Sequence, residues 1–326
     1  DTNLKSYFKS IKTWKRDNKK FTGCPNFPKY KDPIKGRNVM IYSAIQLNLL
    51  YEDGVLIFPK RERIQPINIK CLKTDIKQVR IIPQSSCYVI EVVYNHNEII
   101  KETNDEYLSI DLGVNNLAAV VNTKNNDHFL INGKPLKSIN QYYNKKLSKL
   151  KSQLQKNHQQ NFSNRLYKLV YKRNNKINHY LHCASKKIVE YCVTNDIDNI
   201  IIGENINWKQ NVNIGKQNNQ NFVQIPFDKF KNQIKYKAHK FGITCNTINE
   251  AYTSKCSALD LEHISKQDIY LGDRMERGLF QTNTGKVINA DINGALNILR
   301  KEIGRDEFIH RLNIGFVTNP LKINLH

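Results

Sequence analysis

The chain has 326 residues, with 51 Lys and Arg against 29 Asp and Glu, a formal net charge of +22 and a pI near 9.6. That length allows about two domains, and the charge points to a polyanionic partner. No apolar run of 18 residues occurs, and nothing near Asp1 is built like a signal peptide, so the expectation is a soluble cytoplasmic protein with no membrane partner. The basic excess is not confined to a tail. Residues 1–105 carry 19 basic against 11 acidic residues (net +8), which leaves 32 against 18 (net +14) for the rest. Basic surface along both parts favours nucleic acid over a membrane patch. The chain opens at Asp1 without a methionine and reads as a region of a longer frame.

Residues 1–37 are Lys-rich, and Tyr7, Phe8, Ile11 and Trp14 fall at helical spacing before Pro25, Pro28 and Pro33 break the chain. This segment reads as the remnant of a helical element. Residues 38–105 read as β-structure, with short apolar runs at 39–45, 55–58, 64–69, 76–82 and 88–94 and a turn at Glu52-Asp53-Gly54. Short strands at this spacing predict a small antiparallel barrel or curled sheet. Lys60, Arg61 and Arg63 stand beside these runs; strand-edge charge is one reading, and phosphate contact is what the family resemblance given below implies for them. The polar stretch Lys101–Asp105 reads as the domain joint.

Beyond the joint, Tyr107–Ile110 predicts a strand ending at Asp111, with further strands at Leu117–Val121 and His128–Ile131. Residues 134–189 then hold 14 Lys and Arg and no acid at all. Ile139, Tyr142, Leu147, Leu150 and Leu154 mark one amphipathic helix; Leu166, Leu169, Ile177, Leu181 and Ile188 mark a second. So one-sided a charge run repels itself without a polyanion, which makes Lys145, Lys146, Lys149, Lys168, Lys172 and Arg173 candidate nucleic-acid contacts. The run Asp198–Asn205 predicts a central strand with Glu204 at its end. Trp208 follows, open between stacking on a base and burial, and then a loop over 209–224, either a lid or an insertion. Phe227, Phe230, Ile234 and Ala238 predict a helix ended by Gly242, and a strand follows over 243–248. Asn289 caps a last helix carrying Asp291 in its first turn.

Asp111, Glu204 and Asp291 thus end two strands and open a helix, and such elements can converge at one sheet edge. Carboxylates gathered there repel unless cations share the site, the composition of a Mg²⁺ centre for phosphoryl chemistry.

Three stretches carry a family resemblance: Ser109-Ile-Asp-Leu-Gly-Val-Asn-Asn-Leu-Ala118, Ile202-Gly-Glu-Asn205 and Asn289-Ala-Asp-Ile-Asn-Gly-Ala-Leu-Asn-Ile-Leu299. They look like the split motifs of a RuvC nuclease domain, and with Tyr252-Thr-Ser-Lys-Cys-Ser257 and Arg277-Gly-Leu-Phe280 they resemble the transposon-encoded TnpB family, compact relatives of the type V CRISPR effectors. The resemblance covers about residues 20–305. It implies an α+β chain: a wedge-like barrel over 38–105, then an RNase H-like (RuvC) α/β domain over 106–305 with a basic helical insertion at 134–195, and a tail over 306–326. It also implies an RNA-guided DNA endonuclease of a mobile element, with guide RNA and target double-stranded DNA as partners. Asp111, Glu204 and Asp291 would hold two Mg²⁺ (or Mn²⁺) ions, and Asn289 and Asn293 would support them.

One departure stands out. Many members bind structural zinc through two Cys-x-x-Cys pairs before the third acid, whereas residues 252–286 offer only Cys256 and His263. None of the seven cysteines belongs to such a pair, so no zinc is expected and packing over 259–271 is expected to replace it. Two rivals stay open: a non-cleaving RNA-guided repressor on the same scaffold, and a strand-transferring transposase, whose acids usually end in Glu.

Overall fold

The computed structural model describes residues 2–29, 36–47, 51–52, 54–59, 63–69, 76–84, 87–95, 99, 101–125, 127–158, 163–205, 224–311 and 320–325. The chain forms two compact units, Asp1–Asn95 and His96–His326. The joint read at Lys101–Asp105 lies inside the second unit. Lys101 Nζ is 2.8 Å from Asp196 Oδ1 and 2.9 Å from Asp198 Oδ1, and the Asn104 amide donates to the Asp196 carbonyl.

The first unit opens with α1 (Thr2–Arg16). Tyr7, Ile11 and Trp14 are half-buried, but Phe8 is exposed, so the apolar stripe is narrower than its spacing suggests. Next come β1 (Met40–Ser43), α2 (Ala44–Leu47), β2 (Tyr51–Glu52), β3 (Val55–Leu56), β4 (Ile67–Asn68), β5 (Ile76–Gln84) and β6 (Cys87–Tyr94). The described residues make two three-stranded antiparallel sheets, β1-β5-β6 and β2-β3-β4, and no single barrel. Two causes are visible. The strands β2, β3 and β4 are two residues each, and Gln46 Oε1 accepts from Ser43 N at 3.0 Å, turning the chain into α2 where strand was expected to continue. Tyr42, Leu56, Phe58, Ile76, Val79 and Ile81 bury a core shared by both sheets.

The second unit is built on a mixed sheet ordered β11-β10-β7-β8-β9-β15. Its strands are β7 (Tyr107–Leu112), β8 (Asn116–Asn122), β9 (Phe129–Asn132), β10 (Asn199–Glu204), β11 (Thr244–Asn249) and β15 (Leu321–Ile323). β7, β8 and β9 form an antiparallel meander; β10 runs parallel to β7, and β11 parallel to β10. Residues 306–326 do more than trail: β15 pairs parallel with β9, after the short helix α7 (Arg305–Arg311). The α6 helix, which precedes α7, spans Ala290–Ile303.

Strand alternation decides what each face buries. Leu108, Ile110, Ala118, Val120, Ile200 and Ile202 face α3 (Lys134–His158), α4 (Asn164–Thr194) and α5 (Phe227–His239), with Leu136, Leu181, Ile188, Phe230 and Ile234 filling the core. Ala119, Val121 and Leu130 face α6 through Ile292, Ala295, Leu296 and Leu299. The small strands β12 (Asp273–Glu276), β13 (Leu279–Gln281) and β14 (Val287–Asn289) lead into α6.

Between β11 and β12, hydrogen bonds hold the chain where packing alone was expected. Glu262 accepts from Ser257 N at 2.7 Å and from Leu271 N at 2.9 Å, drawing together points 14 residues apart. Asn297 Nδ2 donates to the carbonyls of Thr253 and Cys256, and an Arg300 guanidinium nitrogen donates to that of Glu262.

Candidate active site and nucleic-acid interface

Asp111 is on β7 two residues after Ser109, so both side chains face α6. Ser109 Oγ donates to the Ala295 carbonyl at 2.8 Å. Asp111 Oδ2 lies only 2.3 Å from where a Cβ on Gly294 would be, so the helix admits this carboxylate because residue 294 has no side chain. Asp291 follows the cap Asn289, whose Oδ1 accepts from Asp291 N at 3.0 Å and Ile292 N at 3.3 Å. One α-helical turn separates Asp291 from Gly294, which brings both acids to the start of α6. Asn116 Nδ2 donates to Asp291 Oδ2 at 2.7 Å. Asn116 lies within the first motif but is not singled out by sequence; its role shows only once β8 folds back beside β7.

Glu204 goes elsewhere. Ile200 and Ile202 point toward α5, and Glu204 shares their parity, so its carboxylate pairs with Lys231, which also reaches Asp228 at 3.1 Å. On the α6 side the carboxylate beside Gly203 is that of Glu250, the residue after β11. Gly203 follows Ile202, the partner of Ile110, and so lies beside Asp111. A Cβ on Gly203 would be 2.8 Å from Glu250 Oε2. Burial first, then the charges of Glu250 and Asp291, hold the Asp111 carboxyl well above the ordinary carboxylate range, against Arg274 and the Leu112 N–H. Burial pushes Glu250 up to about 7, opposed by Lys231 and Lys301 and reinforced by Glu204. Such a donor set, all hard oxygen, is of the kind that suits Mg²⁺ or Mn²⁺. Among the described residues, no three His, Cys, Asp or Glu side chains are gathered closely enough to hold a metal as they stand. Asn293 serves another purpose than expected: its amide bonds Ala258 N and the Cys256 carbonyl.

A groove of about 880 Å³ runs between α3 and α4, lined by Lys146, Lys149, Lys168 and Lys172 with Tyr142, Tyr143, Arg165 and Lys176. The four predicted lysines and Lys145 are exposed, but Lys145 is outside the described lining. Arg165 and Lys176 belong to the same acid-free run and were not singled out. Arg173 also lines the groove, but its guanidinium is spent on protein acceptors. It donates to Asn140 Oδ1 at 2.9 Å, Asn174 Oδ1 at 2.9 Å and the Gln224 carbonyl at 2.7 Å, with its guanidinium 5.5 Å from the Tyr143 ring centre. Its bonds tie α4 to α3 and to residue 224. In the first unit Arg63 is exposed; Lys60, Arg61, Trp208 and residues 209–223 lie outside the described residues.

A mixed sheet with helices on both faces and acids at the start of α6 is compatible with a RuvC-like domain. The OrfB_IS605 family model, described as a probable transposase, matches residues 90–209, and the Cas12f1-like TNB domain matches residues 227–298. The TnpB-like protein ORF457 of Acidianus two-tailed virus is 24% identical over 233 residues, covering 68% of this chain and 47% of that protein. Together these matches support a TnpB-family protein. The chain spans about half the length of that curated relative. Two cryo-EM structures are similar. A Cas12f1–sgRNA–target DNA complex has TM-score 0.43 and 16% identity, covering 69% of this chain and 56% of that one. A CRISPR-Cas12f ternary complex has TM-score 0.45 and 15% identity, covering 68% and 45%. No helix among the described residues is long and apolar enough to cross a membrane.

Proposed function

We propose that the chain is an RNA-guided, divalent-metal-dependent DNA endonuclease of a mobile element, working through a RuvC-like acid site. The observation that carries this reading is the Asp111 carboxylate seated over Gly294, beside Asp291 on the same turn of α6. Two neighbouring acids, with the Asp111 carboxyl raised by burial and then by the charges of Glu250 and Asp291, make a poor structural pair and a good cation site. A divalent cation bound there would lower the pKa of an attacking water and take up charge on the leaving oxygen. Asn116 orients Asp291 through its amide, and Glu204 joins the group only by letting go of Lys231.

Substrate is held elsewhere. The α3–α4 lysines present charge without base-reading geometry, which suits the backbone of a guide–target heteroduplex, while pairing with the guide supplies the sequence. Guide RNA and target double-stranded DNA are the partners on this reading.

Cleavage of plasmid DNA by the protein with its copurified RNA tests it. Asp111→Asn, Glu204→Gln and Asp291→Asn are each expected to abolish Mg²⁺-dependent cutting and leave RNA binding unchanged. A variant that cuts at the wild-type rate removes its residue from the site. A second reading, a non-cleaving RNA-guided binder, is favoured by one observation, the Lys231–Glu204 pair; small RNA that copurifies without any metal-dependent nicking would select it.

A further inference from the structure

Glu250 is pinned by its backbone and unsatisfied at its side chain. Its N–H donates to the Glu204 carbonyl at 3.1 Å, and its own carbonyl accepts from Thr253 N at 3.1 Å and Thr253 Oγ1 at 2.8 Å. Lys301 Nζ grips the carbonyls on either side, Asn249 at 3.0 Å and Ala251 at 2.8 Å. Among the described residues, Glu250 Oε2 is the only buried carboxylate oxygen with no hydrogen-bond partner.

Where that oxygen lies is fixed by two glycines. It occupies the space a side chain at Gly203 would fill, and a Cβ there would also be 2.5 Å from Ile298 Cδ1 of α6. Asp111 occupies the corresponding space over Gly294. Gly294 and Ile298 are one helical turn apart, and Gly203 and Asp111 are neighbours on strands about 4.8 Å apart. Both carboxylates therefore stand on one face of the sheet, side by side against one helix, while strand parity turns Glu204 toward the other face.

We propose that Glu250 is a fourth carboxylate of the acid site, supplying an oxygen ligand to the divalent cation alongside Asp111 and Asp291. The proposal rests on the metal-dependent reading above. Glu250 is suited to the role because its free oxygen has no bond to give up, whereas Asp291 holds Asn116 and Glu204 holds Lys231. A cation held between these acids would satisfy Oε2 and offset the repulsion between Glu250 and Asp111.

The test is Mn²⁺ binding to the full-length protein, read as the loss of the free-ion signal in electron paramagnetic resonance, with melting in EDTA as the folding control. Glu250→Gln keeps the shape and removes the charge. It is expected to weaken Mn²⁺ binding by about 10–100-fold, the range seen when groups supporting a metal are removed, and to melt in EDTA at or above the wild-type temperature. Wild-type affinity in Glu250→Gln, with Asp111→Asn losing it, overturns the proposal and leaves the metal-dependent reading standing. A wild-type protein that binds no Mn²⁺ at millimolar concentration overturns both. Should Glu250→Gln fail to fold, Glu250→Asp decides: a reduced affinity supports the assignment, and wild-type affinity overturns it.

Discussion

At the scale of single residues, a buried acid with no partner leaves a mark on stability. The Glu250 carboxyl is raised from an ordinary value of 4.5 to about 7, so the folded protein holds this proton more tightly than the unfolded chain does. The resulting stability is present below about pH 4.5 and is lost as pH rises through about 7. In EDTA the melting temperature should fall across that window, with a change on the order of 2–3 kcal/mol. Asp111, raised for the same reasons, deepens the fall. Glu250→Gln should flatten much of it, and saturating Mg²⁺ should reverse it on the alkaline side. A wild-type melting temperature that holds constant from pH 5 to about 8 in EDTA would count against a proton on Glu250.

At the scale of elements, the two basic helices combine a structural arginine with displaceable lysines. Changing Lys145, Lys146, Lys149, Lys168 and Lys172 to Gln should lower the slope of log K against log salt by about 3.5–4.5 if all five touch phosphate. Helix propensity barely differs between Lys and Gln, so melting should stay near wild type. Titration of labelled RNA–DNA heteroduplex at several salt concentrations measures this, and an unmoved slope would remove the helices from the interface. Arg173→Gln belongs to a different class. It strands the Gln224 carbonyl and Asn140 Oδ1, so its expected mark is a stability loss of about 1–3 kcal/mol. The β11–β12 connection makes a parallel case. Glu262→Ala removes the acceptor for two backbone N–H groups, and a loss of about 2–4 kcal/mol in denaturant unfolding is expected. Chelation of the wild-type protein should leave that segment unchanged.

At the scale of the whole molecule, what sequence revealed and what it hid follow from the range of each interaction. The strand ending at Asp111, the Asn289 cap and the paired basic helices were readable because local periodicity and capping chemistry set them. The meeting of Asp111 and Asp291 at α6 was readable only through motif order. Three features were not legible because they depend on register between distant strands: Glu204 turned toward Lys231, the Glu250 carboxylate beside Gly203, and β15 completing the sheet beside β9. One residue of parity decides the first two, and no pattern within either strand encodes it. The bonds of Arg173 were hidden for a related reason, since a charge in a basic run looks the same whether or not it also reaches a carbonyl 51 residues away. The two glycines beneath the acids carry the matter into evolution. An alanine at Gly294 would ordinarily strengthen a helix, yet its methyl would land 2.3 Å from Asp111 Oδ2 and push the carboxylate aside. On the proposed nuclease reading, a chain that accumulates substitutions would thus fall silent with every acid intact. An intact site is then better recognised by what lies under the carboxylates than by the carboxylates themselves.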